Sequence, residues 1–69
     1  MSVYKVIEII GTSKKGWDDA ARQAMAQAGE SLRDLRVAEV VKMDLALTET
    51  GEIEAYRTRL AVSFKYEKG

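Results

Sequence analysis

The sequence predicts an α+β chain of order β-α-β-β, in which a three-stranded antiparallel sheet carries a single helix. Three observations point there: a run of β-branched residues at 3–10, an apolar stripe of helical spacing that opens at Trp17, and nearly perfect two-residue alternation over 55–66. With 69 residues the chain is one domain, 1–69.

Residues 3–10 read V-Y-K-V-I-E-I-I, interrupted only by Lys5 and Glu8, as expected of a strand buried on both faces. Gly11-Thr12-Ser13 breaks the pattern, and a Thr12 or Ser13 hydroxyl can accept from the free N–H groups of a helix that starts near Lys14. Trp17, Ala20, Ala21, Ala24, Met25 and Ala28 then form the stripe, with Asp18, Asp19, Arg22, Gln23, Gln27 and Glu30 on the other face. Asp18 and Asp19 suit the positive end of the helix dipole, and Asp18–Arg22 is a favourable i, i+4 pair. Gly29 is the expected exit. Alanine lets a helix lie close on a sheet but buries little area, so this helix adds little hydrophobic stabilisation.

Residues 35–47 predict a second strand. Strict alternation sets Val37, Glu39, Val41, Met43, Leu45 and Leu47 on one face, and Arg36, Ala38, Val40, Lys42, Asp44 and Ala46 on the other. Thr48-Glu49-Thr50-Gly51-Glu52 is a hairpin connection with Gly51 available for a positive φ. In the third strand Tyr56, Thr58, Leu60, Val62, Phe64 and Tyr66 form the core face, against Ala55, Arg57, Arg59, Ala61, Ser63 and Lys65. One short helix cannot cover two strands of this length. The uncovered surface and free strand edges predict contacts between copies of the chain.

Composition points the same way. A domain of this size is marginal as a lone monomer, and its usual supplements are disulfides, a metal site or oligomerisation. The chain has no Cys and no His, which leaves oligomerisation. Eleven Lys+Arg balance eleven Asp+Glu, so the excess of positive charge expected of a nucleic-acid binder is missing. No apolar run approaches a membrane span, and the N-terminus has no signal-peptide pattern, so a cytoplasmic protein without membrane partners is expected. Lacking His and Cys, the chain has neither the commonest general base nor the best thiol nucleophile, which disfavours an enzyme.

Gly11 and Gly16 fit neither the dinucleotide nor the P-loop spacing. Glu49, Glu52 and Glu54 lack the ligand rhythm of a calcium loop and read as a solvated turn. Trp17, at the head of the helical stripe, reads as a packing residue. Arg57 and Arg59 share a strand face and can reach Asp44, Lys42 or Arg36 across an antiparallel pair. They read as cross-strand ion pairs or, alternatively, as an anionic-ligand site.

The opening V-Y-K-V-I-E-I-I-G-T-S, the helix with Trp17 and Ala20-Ala21, R-V-A-E-V at 36–40 and the closing Y-R-T-R-L-A-V-S-F-K together resemble a dodecin, over nearly the whole chain. The resemblance implies a protomer whose sheet wraps its helix, assembled as a homododecamer: a hollow sphere with helices outside and sheets facing inward. It also implies a non-enzymatic ligand store. Typical members hold flavins (FMN, FAD or riboflavin) in stacked pairs at two-fold contacts, with a Trp against the ring and a Gln at its edge. Those positions fall on Val37 and Arg57, which offer no π face and no acceptor. In this the chain is similar to a subgroup without the flavin sandwich, for which calcium is the proposed ligand and Glu39 and Asp44 would be the oxygen donors. Other members hold coenzyme A or phosphorylated nucleotides, for which Arg57, Arg59 and Lys65 would be the phosphate contacts.

Three functions follow as expectations: a dodecameric store or buffer for a small ligand with the flavin site altered; a dodecin that binds flavin with weakened affinity; or a small oligomeric interaction module or enzyme.

Overall fold

The computed structural model describes residues 2–66, and the order of elements is β1 (Tyr4–Ser13), α1 (Trp17–Ser31), β2 (Leu35–Leu47) and β3 (Ile53–Lys65). The sheet is antiparallel with β3 in the centre, in the order β1-β3-β2, and α1 packs across β1 and β3. β3 alternates most regularly, and its buried residues Thr58, Leu60 and Val62 face the helix. Ala20, Ala24 and Ala28 are the buried face of the helix, Ala24 clustering with Leu60 and Val62, and Ile7, Ile9, Ala21, Met25 and Leu35 lie at the margin of that cluster.

Three expectations about boundaries change. β1 does not break at Gly11 but runs on to Ser13, because Gly11, Thr12 and Ser13 continue to pair with Thr58, Arg57 and Tyr56. At Gly11 the helix lies close against the sheet: a Cβ there would strike the Ala20 carbonyl oxygen and come within 2.9 Å of the Ala24 Cβ. The helix opens at Trp17 with Gly16 as N-cap and no side-chain cap. The Ser13 hydroxyl instead accepts from the Lys15 N–H at 2.9 Å and donates to the Asp19 carboxylate at 2.6 Å. At the far end Gly29 stays helical, and the chain leaves through an extended Leu32 and an Asp34 with φ 58°, a conformation that Asp tolerates better than most side chains. The hairpin follows expectation, with Gly51 at φ 87° and the Thr48 N–H donating to the Glu52 carbonyl.

Strict alternation fails in β2, and this rearranges the open face of the sheet, the one turned away from α1. Register shifts fall between Leu35 and Val37 and between Val40 and Lys42. The second leaves Val41 as an extra residue, a bulge that exchanges the faces of everything beyond it. Val37 and Glu39 before it lie opposite Ser63 and Ala61, and Lys42 and Asp44 after it lie opposite Arg59 and Arg57. All four therefore share the open face. Strict alternation would have placed Val37 and Glu39 on one side and Lys42 and Asp44 on the other.

One chain leaves much apolar surface uncovered. Val40, Met43 and Leu45 on the helix side of β2 are 49%, 56% and 38% exposed, and Val6, on the open face of β1, is 60% exposed. Strand one is thus not buried on both sides within the subunit. The radius of gyration is 14.2 Å, against about 11 Å for a compact domain of this length. The accessible surface is 5287 Å², against about 4,300 Å² for a compact monomer of this mass. Both excesses are of the kind that association removes.

Candidate functional site

The open face gathers the functional candidates because β3 is central. Its odd residues Arg57, Arg59, Ala61, Ser63 and Lys65 are flanked by Thr12, Ile10, Glu8, Val6 and Tyr4 of β1, while Asp44, Lys42, Glu39 and Val37 of β2 lie opposite the first four of them. Val37, Glu39, Asp44, Arg57, Arg59 and Lys65 therefore stand on one surface. They do not form one cluster.

At its centre Arg57 and Asp44 face each other across the strand pair. Arg57 Nε donates to Asp44 Oδ1 at 2.8 Å and Nη2 donates to Oδ2 at 3.3 Å, a two-pronged contact that employs both carboxylate oxygens. The Arg57 hydrogen bond holds the Asp44 carboxyl below the usual carboxylate range, with Lys42 and Arg59 adding attraction, and the Arg57 guanidinium is raised in turn. Asp44 is held from the helix side too: the Trp17 indole N–H donates to its backbone carbonyl at 3.0 Å. Trp17 meets Tyr56 edge-on at 5.1 Å, and the Thr58 hydroxyl donates to the Trp17 carbonyl at 2.8 Å. The ring packs against Tyr56, as its place in the helical stripe predicts, and its N–H ties the helix to edge strand β2.

Arg59 has a looser partner, Glu8 Oε1 at 4.0 Å. Val37 is 63% exposed, and its carbonyl accepts from the Ser63 hydroxyl at 3.2 Å. The positions opposite Val37 and Arg57 are six residues apart on β3, which places the pair about 20 Å apart along the strand. Both could line one pocket only if they came from different subunits.

The calcium donors fare similarly. Glu39 and Asp44 lie opposite Ala61 and Arg57, about 13 Å apart along the strand, whereas calcium gathers oxygens at about 2.3–2.6 Å from itself. Asp44 also has both oxygens on Arg57. The residues of one subunit do not fit a calcium ion, and among the described residues no group of three acidic side chains is arranged to hold a metal. Glu49, Glu52 and Glu54 are exposed around the hairpin, as a solvated turn requires.

Two features escaped the sequence reading. One is the Trp17 tie to Asp44, which depends on tertiary placement. The other is that Lys42 and Asp44 share a face with Val37 and Glu39, which follows only from the bulge at Val41.

A β-α-β-β protomer with an uncovered sheet and charged residues gathered on one face is the architecture of a small assembling ligand-binding protein. The sequence matches the dodecin family over residues 3–67. It is 52% identical over 65 residues to calcium dodecin of Mycobacterium tuberculosis, covering 94% of this chain and 90% of that one. With the dodecin of Thermus thermophilus it shares 36% over 66 residues, 96% and 94% of the two chains.

Among solved structures, the calcium-chelating immunodominant antigen calcium dodecin of Mycobacterium tuberculosis, described as having a novel calcium-binding site, superposes with a TM-score of 0.84 at 48% identity, over 99% and 96% of the chains. Dodecin from Streptomyces coelicolor gives 0.90 at 31%, over the same shares. The chain belongs to the dodecin family. Its members are non-enzymatic binding proteins and typically homo-oligomeric.

Proposed function

We propose that the protein is a homododecameric store or buffer for a small ligand or ion, held on the inward sheet face between subunits, and that the flavin sandwich of typical dodecins has been replaced. The observation that carries this reading is the Arg57–Asp44 pair. The position that would hydrogen-bond a flavin edge is occupied by a guanidinium that binds Asp44 through Nε and Nη2, and the position that would stack is Val37, which has no ring. A guanidinium has no acceptor for the flavin ring N–H.

Calcium is the ion that likeness to the Mycobacterium tuberculosis protein puts first. Glu8 and Glu39 project from the open face, so any calcium would be shared by carboxylates of several subunits. Coenzyme A and free flavin are the other ligands to compare.

Native mass spectrometry of the purified protein, followed by denaturation to release what it carries, tests assembly and ligand together. The expected result is a twelve-subunit particle without flavin, to which added riboflavin binds weakly by fluorescence quenching. A well-folded monomer, or a particle saturated with flavin, overturns the proposal.

A further inference from the structure

We infer that the helix side of β2 is the seat of a second copy of this chain; the inference rests on the proposed shell and deepens it by naming a surface that holds the shell together. α1 packs on β1 and β3 and leaves β2 largely uncovered. A cleft of about 380 Å³ opens there between helix and strand, lined by Trp17, Ala21, Val40, Met43 and Thr58. Val40, Met43 and Leu45 lie opposite Leu60, Thr58 and Tyr56 of β3, so they carry the core face of the sheet beyond the cover of the helix. They remain 49%, 56% and 38% exposed.

The chemistry of the cleft selects its occupant. Its polar groups are already engaged: the Thr58 hydroxyl donates to the Trp17 carbonyl at 2.8 Å, and the Trp17 indole N–H to the Asp44 carbonyl at 3.0 Å. Asp18 and Arg22 on the rim pair with each other at 3.5 Å. What is left to satisfy is apolar area, and it is long. The β3 residues opposite Val40 and Leu45 are four apart, a span of about 13 Å along the strand, so a small molecule in the cleft would leave one end of the row in water. A polypeptide surface covers all of it. The accessible surface of the chain, 5287 Å², exceeds the about 4,300 Å² of a compact monomer by more than the about 800 Å² that each partner of a stable interface buries. With no Cys and no His to supply another staple, a second copy is the partner that the chain always has at hand.

Trp17 is the one tryptophan of the chain and lines the cleft, so its fluorescence reports cover at that place. The test is acrylamide quenching of Trp17 with native mass spectrometry of the full chain, across a dilution series in urea below the unfolding transition. The samples are wild type, Met43→Glu, Met43→Leu and, as a control for added charge, Ala26→Glu on the exposed face of α1. Quenching of wild-type Trp17 should rise as dilution dissociates the particle. Met43→Glu should need a protomer concentration at least about tenfold higher to assemble, because the cleft offers no partner to a buried carboxylate. Its quenching transition should move by the same factor. Met43→Leu, which nearly conserves volume, and Ala26→Glu should assemble as wild type.

A twelve-subunit particle in which Trp17 is quenched as readily as after dissociation overturns the inference and leaves the shell standing. So does assembly of Met43→Glu at the wild-type concentration. Shielding of Trp17 that persists unchanged in the dissociated subunit also overturns it, since the cover would then be a bound small molecule or the subunit itself. Should Met43→Glu fail to fold by circular dichroism, the wild-type dilution series decides alone. A particle of another size whose Trp17 is shielded only while assembled upholds the inference and refutes the shell.

Discussion

Replacing Gly11 by alanine should damage this protein more than its size suggests. The added methyl would point from β1 into α1, onto the Ala20 carbonyl oxygen and to 2.9 Å from the Ala24 Cβ. Ordinary contact begins near 3.4 Å, so the Ala24 side alone requires about 0.5 Å of opening (3.4 − 2.9), and the carbonyl requires more. Neither obstacle is the end of a flexible side chain, so helix and sheet must separate. Overpacking of this kind costs about 1–3 kcal/mol. At about 4–8 °C per kcal/mol for a domain of this length, the melting temperature should fall by about 4–24 °C.

The assay is thermal and denaturant unfolding at matched protomer concentration, because association makes stability concentration-dependent. Gly29→Ala is the control: the residue lies in the helix, where a new Cβ meets nothing beyond its own stretch of helix within 4 Å, and the change should stabilise by about 0.5–1 kcal/mol. Were Gly11→Ala to melt with wild type, the close approach of α1 to β1 would be refuted.

Other outcomes follow from the site. The double substitution Val37→Trp with Arg57→Gln should raise flavin affinity measurably by fluorescence quenching, as stacking contributes about 0.5–1.5 kcal/mol beyond buried area; unchanged affinity counts against placing the flavin pocket at these positions. Trp17→Phe keeps an aromatic ring near Tyr56 but loses the donor to Asp44, and should cost about 0.5–1.5 kcal/mol in urea unfolding. Asp44 is held below its ordinary value of 3.8 by Arg57, and Asp19 below it by the Ser13 hydroxyl. A depressed carboxyl pKa stabilises fully above the unfolded value and is lost as pH falls through the folded one. Stability should therefore decline as pH drops below about 4, and Asp44→Asn should flatten that decline while lowering stability at neutral pH. An identical acid limb in the variant refutes the ion pair's role.

Order and type of every element were legible in the sequence because hydrophobic period is local: the alternation of β3 and the alanine stripe of α1 each identify themselves without knowledge of the rest. So was the pairing of Arg57 with Asp44, one of the cross-strand partners that the charges allowed. The resemblance carried by R-V-A-E-V and Y-R-T-R led to the family and to Val37 and Arg57. The end of β1 was misread because Gly11-Thr12-Ser13 has the composition of a turn, while the reason for glycine there is a helix pressed against the strand. Gly29 was misread as an exit because an exposed helical glycine carries the same local signal as a C-terminal one.

The shared face of Val37, Glu39, Lys42 and Asp44 was beyond any reading by period, since one extra residue at Val41 reverses the alternation and only pairing with β3 reveals it. Sequence by itself determined the elements and the family, both of which rest on local pattern and composition. Tertiary structure alone decided which residues of β2 share the open face, because a strand's register is fixed by its neighbour.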